Sequence, residues 1–268
     1  MNEQTATRRK SRFLREINTI IAVMAREITV FFKSPGTIIM SLAMPVMMMG
    51  MIGGNIMQNL QSGYDLGGFM LVGMLVNMLF MVTCMGMSTL VDDHETDFNQ
   101  EMLVSPVSRY SLVIGKILGA TFGAIFSMAG TLIVGLIMGI TLPIGQFLLI
   151  LALSPLMCLA GGAMSMIIIG LIKSKKTANF AVMIITMPQM FLSGAIIPIN
   201  NSSGVLMVLS RIMPMTYCLD LVRAVVSQSG AGYETMFNPF VNFIAIAALT
   251  VVFLVIGTFF YARTEKNR

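Results

Sequence analysis

ILGATFGAIFSMAGTLIVGLIMGITLPIGQFLLILALSPLMCLAGGAMSMIIIGLI, residues 117–172, runs for 56 residues without one Asp, Glu, Lys or Arg. A helix crosses the hydrocarbon of a bilayer with about 20 apolar residues, so this stretch holds two crossings. Thr141, Pro143 and Gly145 fall near its middle and mark the break between Gly139 and Gln146. The crossings are helical because a backbone group without a hydrogen bond is expensive in lipid. A transmembrane barrel would show short alternating segments, whereas this run is continuous.

Working outward, four more gaps separate the charges. They are 31 residues between Lys33 and Asp65, 26 between Asp65 and Asp92, 34 between Lys176 and Arg211, and 28 between Glu234 and Arg263. Each holds one crossing, which predicts six spans at 37–57, 67–90, 112–138, 147–171, 178–198 and 240–262. The composition agrees. The 268 residues are 56% hydrophobic and 11% charged, where a soluble surface needs about 25% charged residues. Disorder is excluded because there is too much apolar surface to bury. The start of the chain is polar or amphipathic and shows no cleavable signal pattern.

Six spans put both ends on one side. With that side cytoplasmic, the inner segments 1–36, 91–111, 172–177 and 263–268 carry 7, 1, 3 and 3 Lys and Arg residues. Lys116 lies in the first turn of the third span and is expected to snorkel to the same face. That places 15 basic residues inside and leaves Arg211 and Arg223 outside, a strong positive-inside bias. The expected organisation is a cytoplasmic N-terminus at 1–36, a six-span domain at 37–262 and a cytoplasmic tail at 263–268.

Two segments outside the spans have readable character. In 11–34, Phe13, Leu14, Ile17, Ile20, Ile21, Met24, Ile28 and Phe31 recur at helical spacing, with Arg12, Arg15, Glu16, Thr19, Arg26 and Lys33 elsewhere on the surface. This is an amphipathic helix, expected to lie in the cytoplasmic interface. Pro35-Gly36 then turns the chain into the membrane. Ser203 to Arg223 is largely apolar but broken by Arg211, Pro214 and Asp220. It predicts two short helices, 203–212 and 215–227, dipping into the outer leaflet and divided near Pro214. Asp220 and Arg223, three residues apart, fit a local helical pair.

Chemical motifs are sparse. A phosphate-binding Gly-rich loop ending in Lys and Ser or Thr is missing. His94 is the single histidine, so a His-based metal cluster has nothing to build on. Cys84, Cys158 and Cys218 are far apart and form no paired motif. The acidic cluster Asp92, Asp93, Glu95, Asp97 and Glu101 surrounds His94. Such a set can hold a divalent cation, but its place at a membrane exit favours docking. Asp92 or Asp93 can cap a cytoplasmic helix, acidic residues suit its first turn, and Met102, Leu103 and Val104 supply an apolar contact patch. Within the spans, Gly50 with Gly54, Gly115 with Gly119 and Gly123, and Gly135 with Gly139 are spaced for close helix approach. The 28 methionines read first as flexible apolar packing. Pro45, Pro155 and Pro188 are candidate kinks, and Asn77, Gln189 and Asn242 either line a path or bridge helices. No ionisable residue lies mid-span, which disfavours a proton-driven pump. Besides a transporter, a membrane-embedded lipid-modifying enzyme and a scaffold recruiting a partner through 91–109 fit parts of the pattern.

The segment Glu95-Thr96-Asp97-Phe98-Asn99-Gln100-Glu101-Met102-Leu103-Val104-Ser105-Pro106-Val107-Ser108-Arg109, continuing to Gly115-Lys116, resembles the coupling segment of ABC-2-type exporter permeases, including those of the multidrug-resistance type. Met102 stands where that family has leucine, and Thr96-Asp97-Phe98 and Gln100-Glu101 stand where its members often have a glycine before a threonine-leucine-glutamate portion. A second resemblance joins Phe191-Leu192-Ser193-Gly194-Ala195, Pro198, Pro214-Met215-Thr216-Tyr217, Asp220 and Arg223, with Met215 in place of a frequent leucine.

The resemblance implies an all-α permease in a prokaryotic cell membrane. It would be a dimer, expected to be of identical chains, in contact with membrane lipids and with two cytoplasmic ABC ATPase subunits. Those partners would bind the ATP and magnesium, so this chain would carry no cofactor and no catalytic residue. No nucleic acid is expected. The resemblance makes Glu95, Asp97, Glu101, Met102, Leu103, Val104 and Arg109 coupling residues. It assigns Pro214, Tyr217, Asp220 and Arg223 to the outer re-entrant region. The cargo would be a drug, a lipid or another amphiphile.

Overall fold

The computed structural model describes residues 3–48, 50, 66–91, 109–140, 142–172, 174–196, 204–227 and 235–266. Every regular element among these residues is helical. In chain order they are α1 (Glu3–Lys33), α2 (Pro35–Met48), α3 (Leu66–Met87), α4 (Arg109–Ile137), α5 (Ile144–Leu171), α6 (Lys175–Leu192), α7 (Val205–Ile212), α8 (Pro214–Val226) and α9 (Pro239–Lys266).

Among the described residues, four stretches are long and apolar enough to cross a membrane: Gly67–Val91, Tyr110–Ile137, Ile144–Leu171 and Pro239–Tyr261. They coincide within a few residues with the spans expected at 67–90, 112–138, 147–171 and 240–262. Helices α7 and α8 meet at 85° and make a fifth crossing only if the bent pair counts as one. The chain is therefore an all-α, multi-pass membrane protein with four to five candidate spans among the described residues. Of the expected span 37–57, α2 covers the first part, and 49 and 51–57 lie outside the described residues. Of 178–198, α6 covers most. It opens on Lys175 and Lys176 and carries Asn179 and Gln189, so it is not apolar enough along its length to stand among the four.

Helix α3 is the centre of the bundle. It packs on α4 and α5, and 83% of its span is buried. Phe69, Leu71, Val72, Leu75, Val76, Leu79 and Phe80 are closed off on all sides, as a helix that is apolar all round should be. Helix α9 is the opposite case. It lies along α5, but only 22% of its span is buried. Val251, Val252, Val255, Ile256 and Phe259 point outward, which suits hydrocarbon and would be intolerable in water. The α5–α9 crossing is tight because both helices present glycine. A Cβ at Gly257 would sit 2.9 Å from the Ile167 nitrogen, and one at Gly170 would sit 2.8 Å from the Tyr261 nitrogen.

The expected break between the third and fourth spans is a turn, with Gly139 at φ +80°. Gly139 is thus a turn residue and not half of a packing pair. A Cβ there would meet open space, whereas one at Gly135 would strike the Leu71 side chain at 2.7 Å. Gly50 also faces open space, and Gly54 lies outside the described residues. Helices α5 and α6 run through Pro155 and Pro188. The three cysteines are free and buried.

Candidate functional site

Helix α8 begins at Pro214, where a fixed φ and a missing N–H suit a first helical position. At the sharp turn the Met213 amide closes α7 by donating to the Ser210 carbonyl at 3.2 Å. Two α8 side chains add to that cap. Thr216 Oγ1 donates to the Ser210 carbonyl at 2.6 Å, and the Tyr217 hydroxyl donates to the Arg211 carbonyl at 2.6 Å. The Tyr217 ring also stacks on Phe237, with centroids 5.5 Å apart. The Arg211 guanidinium lies 5.7 Å from the same Phe237 ring.

Asp220 and Arg223 are buried, at 5% and 4% exposure. The helical pair expected between them is replaced by separate partners. Asp220 accepts from the Met236 and Phe237 amides at 2.8 and 2.9 Å and from Asn242 Nδ2 at 2.8 Å. One carboxylate therefore holds the approach to α9 and the first turn of α9 itself. Such charge-assisted bonds are roughly twice as strong as neutral ones. Arg223 reaches the other way. It donates to the Gly194 carbonyl at 2.7 Å and lies 3.6 Å from the Phe69 ring centroid. A desolvated cation over an aromatic face contributes about 2 kcal/mol.

The Phe191–Ala195 motif explains why Gly194 is there to be held. Helix α6 ends at Leu192, and Gly194 takes φ +81°, the left-handed conformation that glycine adopts cheaply after a helix. The turn then lies directly on α3. A Cβ at Gly73 would fall 2.0 Å from the Ala195 carbonyl oxygen. Pro214, Tyr217, Asp220 and Arg223 thus come together in one polar assembly linking α3, α6, α7, α8 and α9. Pro198 lies outside the described residues.

The second concentration of polar groups lies between α1 and α4. The glycine series of α4 forms its groove. A Cβ at Gly115 would meet Ile20 and Val23, one at Gly119 would meet Glu27, and one at Gly123 would meet the Phe31 ring. Above the groove, Phe31 packs edge-on to Phe126, and Phe32 packs on Phe122. Into this apolar contact comes an ion pair, Lys116 Nζ to Glu27 Oε1 at 3.4 Å. Arg26 approaches the same oxygen at 3.2 Å. Lys116 is 1% exposed and Glu27 9%. The expectation that Lys116 snorkels to water is corrected, because α1 covers it and supplies a carboxylate instead. Near the start of α4, Ser111 donates to Glu16.

Glu27 is the residue that the sequence reading passed over. It lies on the same stripe as Ile20, Met24 and Phe31, and a charge on an apolar stripe is the signal that would have found it. Phe69 and Gly73, in an all-apolar helix, gave no comparable signal. Asn77, Gln189 and Asn242 bridge helices. Asn77 Nδ2 lies 3.9 Å from Met215 Sδ, and Gln189 Nε2 lies 2.8 Å from Met164 Sδ. Glu95, Asp97, Glu101, Met102, Leu103 and Val104 lie outside the described residues, and Arg109 opens α4.

A family model described as ABC-2 type transporter matches residues 18–226. Nodulation protein J of Rhizobium meliloti (strain 1021) is 26% identical over 129 residues, covering 47% of this chain and 48% of that protein. Nodulation protein J of Rhizobium leguminosarum bv. trifolii matches at the same identity and coverage. The aligned region thus spans about half the length of these curated relatives. The family match takes in the Glu27–Lys116 pair, the acidic segment that follows α3 and all of α8, and the chain belongs to the ABC-2 type transporter family, whose members are typically non-catalytic membrane permease subunits that generally pair with a cytoplasmic ATPase.

Proposed function

We propose that this chain is the permease subunit of an ATP-driven exporter of a drug, lipid or other amphiphile. Two copies form the translocation path between them, and two separate cytoplasmic ATPases bind ATP and magnesium. In this reading 37–57 and 178–198 complete six spans, both termini are cytoplasmic, α1 passes from the inner interface along the first half of α4, and α7 and α8 form the outer re-entrant pair. The chain divides into 1–36, 37–262 and 263–268. The observation that carries the reading is the unbroken family match from residue 18 to residue 226. The 15-to-2 distribution of basic residues supports its orientation.

The coupling contact is assigned to 93–105, with Glu95, Asp97, Glu101, Met102, Leu103 and Val104 on the ATPase and Arg109 at the return into α4. A membrane dimer with two conformations is driven when its coupling surface binds closed and open ATPases differently. Pro214, Tyr217, Asp220 and Arg223 keep the exit end in one piece.

Reconstitution with the cognate ATPase tests this reading. Leu103→Asp combined with Glu101→Arg is expected to lower ATP-driven export from vesicles roughly tenfold, the scale of a typical coupling free energy. Membrane insertion and basal ATP hydrolysis should persist. Unchanged export would remove 93–105 from the coupling role.

A further inference from the structure

Helix α7 has eight residues and is therefore about 12 Å long, far short of the roughly 30 Å of a hydrocarbon core. Yet Val205, Leu206, Val208, Leu209 and Ile212 are all exposed. Their spacing puts them on one continuous arc of roughly 160° of the helix surface. Ser210, outside the arc, is buried, and α7 packs on α6 and α8. A bare apolar arc on a helix too short to span belongs in the interfacial layer of a bilayer, against acyl chains.

Arg211 flanks this arc, in the last turn of α7, and is exposed. It is held from two sides. The Tyr217 hydroxyl donates to its carbonyl at 2.6 Å, and its guanidinium lies 5.7 Å from the Phe237 ring, which itself stacks on Tyr217. The cation is thus braced at the α7–α8 corner, and among the described residues no carboxylate forms an ion pair with it. Asp220, the acidic residue of the adjoining assembly, is occupied by Met236, Phe237 and Asn242. A fixed guanidinium beside apolar surface suits a phosphate, because its planar fork donates two parallel hydrogen bonds to that group.

We propose that the α7–α8 corner is a phospholipid-binding site, with acyl chains along the apolar arc and the headgroup phosphate on Arg211. A second copy of the chain fits the surface less well. A two-fold contact through the arc would bring two Arg211 side chains onto α7 faces that hold no carboxylate. A free phosphate would answer Arg211 and leave the arc bare. The site requires only that α7 reaches a bilayer, so it stands or falls apart from the exporter reading.

The test reads lipid contact at the arc itself. A bimane label at Val208→Cys reports on α7, and one at Val252→Cys on the exposed side of α9 is the control, the native cysteines being buried. The full chain is reconstituted in vesicles of a phosphate-free glycosyl diacylglycerol. These contain a small fraction of either brominated phosphatidylglycerol or the brominated glycolipid with the same acyl chains.

The phosphatidylglycerol is expected to quench the label at 208 several-fold more than the glycolipid does, while the label at 252 should not distinguish them. R211Q should abolish the preference at 208 and leave quenching at 252 unchanged. Excess soluble glycerol phosphate should not displace the lipid. Equal quenching at 208 by the two lipids in the parent overturns the proposal without recourse to a variant, as does an R211Q chain that keeps the preference. Loss of the preference to glycerol phosphate would make this a site for free phosphate and overturn the lipid assignment. A label at 208 that neither lipid reaches would assign the arc to a second copy and overturn it too.

Discussion

The α1–α4 seam and the α8 assembly both bury opposite charges inside an apolar bundle, but they satisfy them differently. In the seam, the charges come from different helices and meet each other, Glu27 on α1 and Lys116 on α4. In the assembly, Asp220 and Arg223 lie three residues apart on one helix and turn away from each other. Asp220 holds two backbone amides and Asn242, while Arg223 holds a carbonyl and a ring. Sequence spacing predicts the pair that does not form and is silent about the one that does. A buried charge takes the partners that remove it from lipid most completely. At the end of a helix, unused backbone groups serve that purpose as well as an opposite charge.

Four substitutions would break or sharpen the contrast, and the largest effect is expected in the seam. Glu27→Leu removes the carboxylate that lies 3.4 Å from Lys116, and breaking a buried pair from one side costs about 3–5 kcal/mol. Lys116→Met leaves Glu27 with Arg26 at 3.2 Å, so its cost should fall below that range. Thermal unfolding of the purified protein measures both. A loss on Lys116→Met within that range would mean that Arg26 gives Glu27 no support.

Asp220→Asn comes next. The amide keeps one acceptor oxygen but loses the charge that three donors share, so about 1.5–3 kcal/mol is expected. Limited proteolysis should show faster cleavage just before α9, since Met236 and Phe237 lose their anchor. An unchanged cleavage pattern would show that the Tyr217–Phe237 stacking holds that approach without Asp220. Tyr217→Phe is the smallest. It keeps the ring stacking and removes the hydrogen bond to the Arg211 carbonyl, a loss of about 1 kcal/mol. A drop in melting temperature as large as that of Asp220→Asn would move the weight of the assembly from Asp220 to the α7–α8 corner.

Part of this architecture was legible from residue order. The split of 203–227 near Pro214 follows from proline's preference for a first helical position, and the helices found are Val205–Ile212 and Pro214–Val226. The glycines at 115, 119 and 123 announced a close approach without naming the helix that approaches. Lys116 illustrates the limit. Next to a predicted inner face it reads as a snorkelling lysine, and only the presence of α1 above it turns that edge into an interior.

The sequence by itself determined the membrane class, four of the spans and the places where helices break. Those follow from transfer free energies and local backbone preferences, which act residue by residue. Tertiary structure alone decided that Glu27 answers Lys116, that Arg223 leaves Asp220 for Gly194 and Phe69, and that Gly73 admits the turn after α6. Each of these depends on which groups stand within about 3–4 Å after packing, and that proximity joins residues 29 to 154 positions apart in the chain.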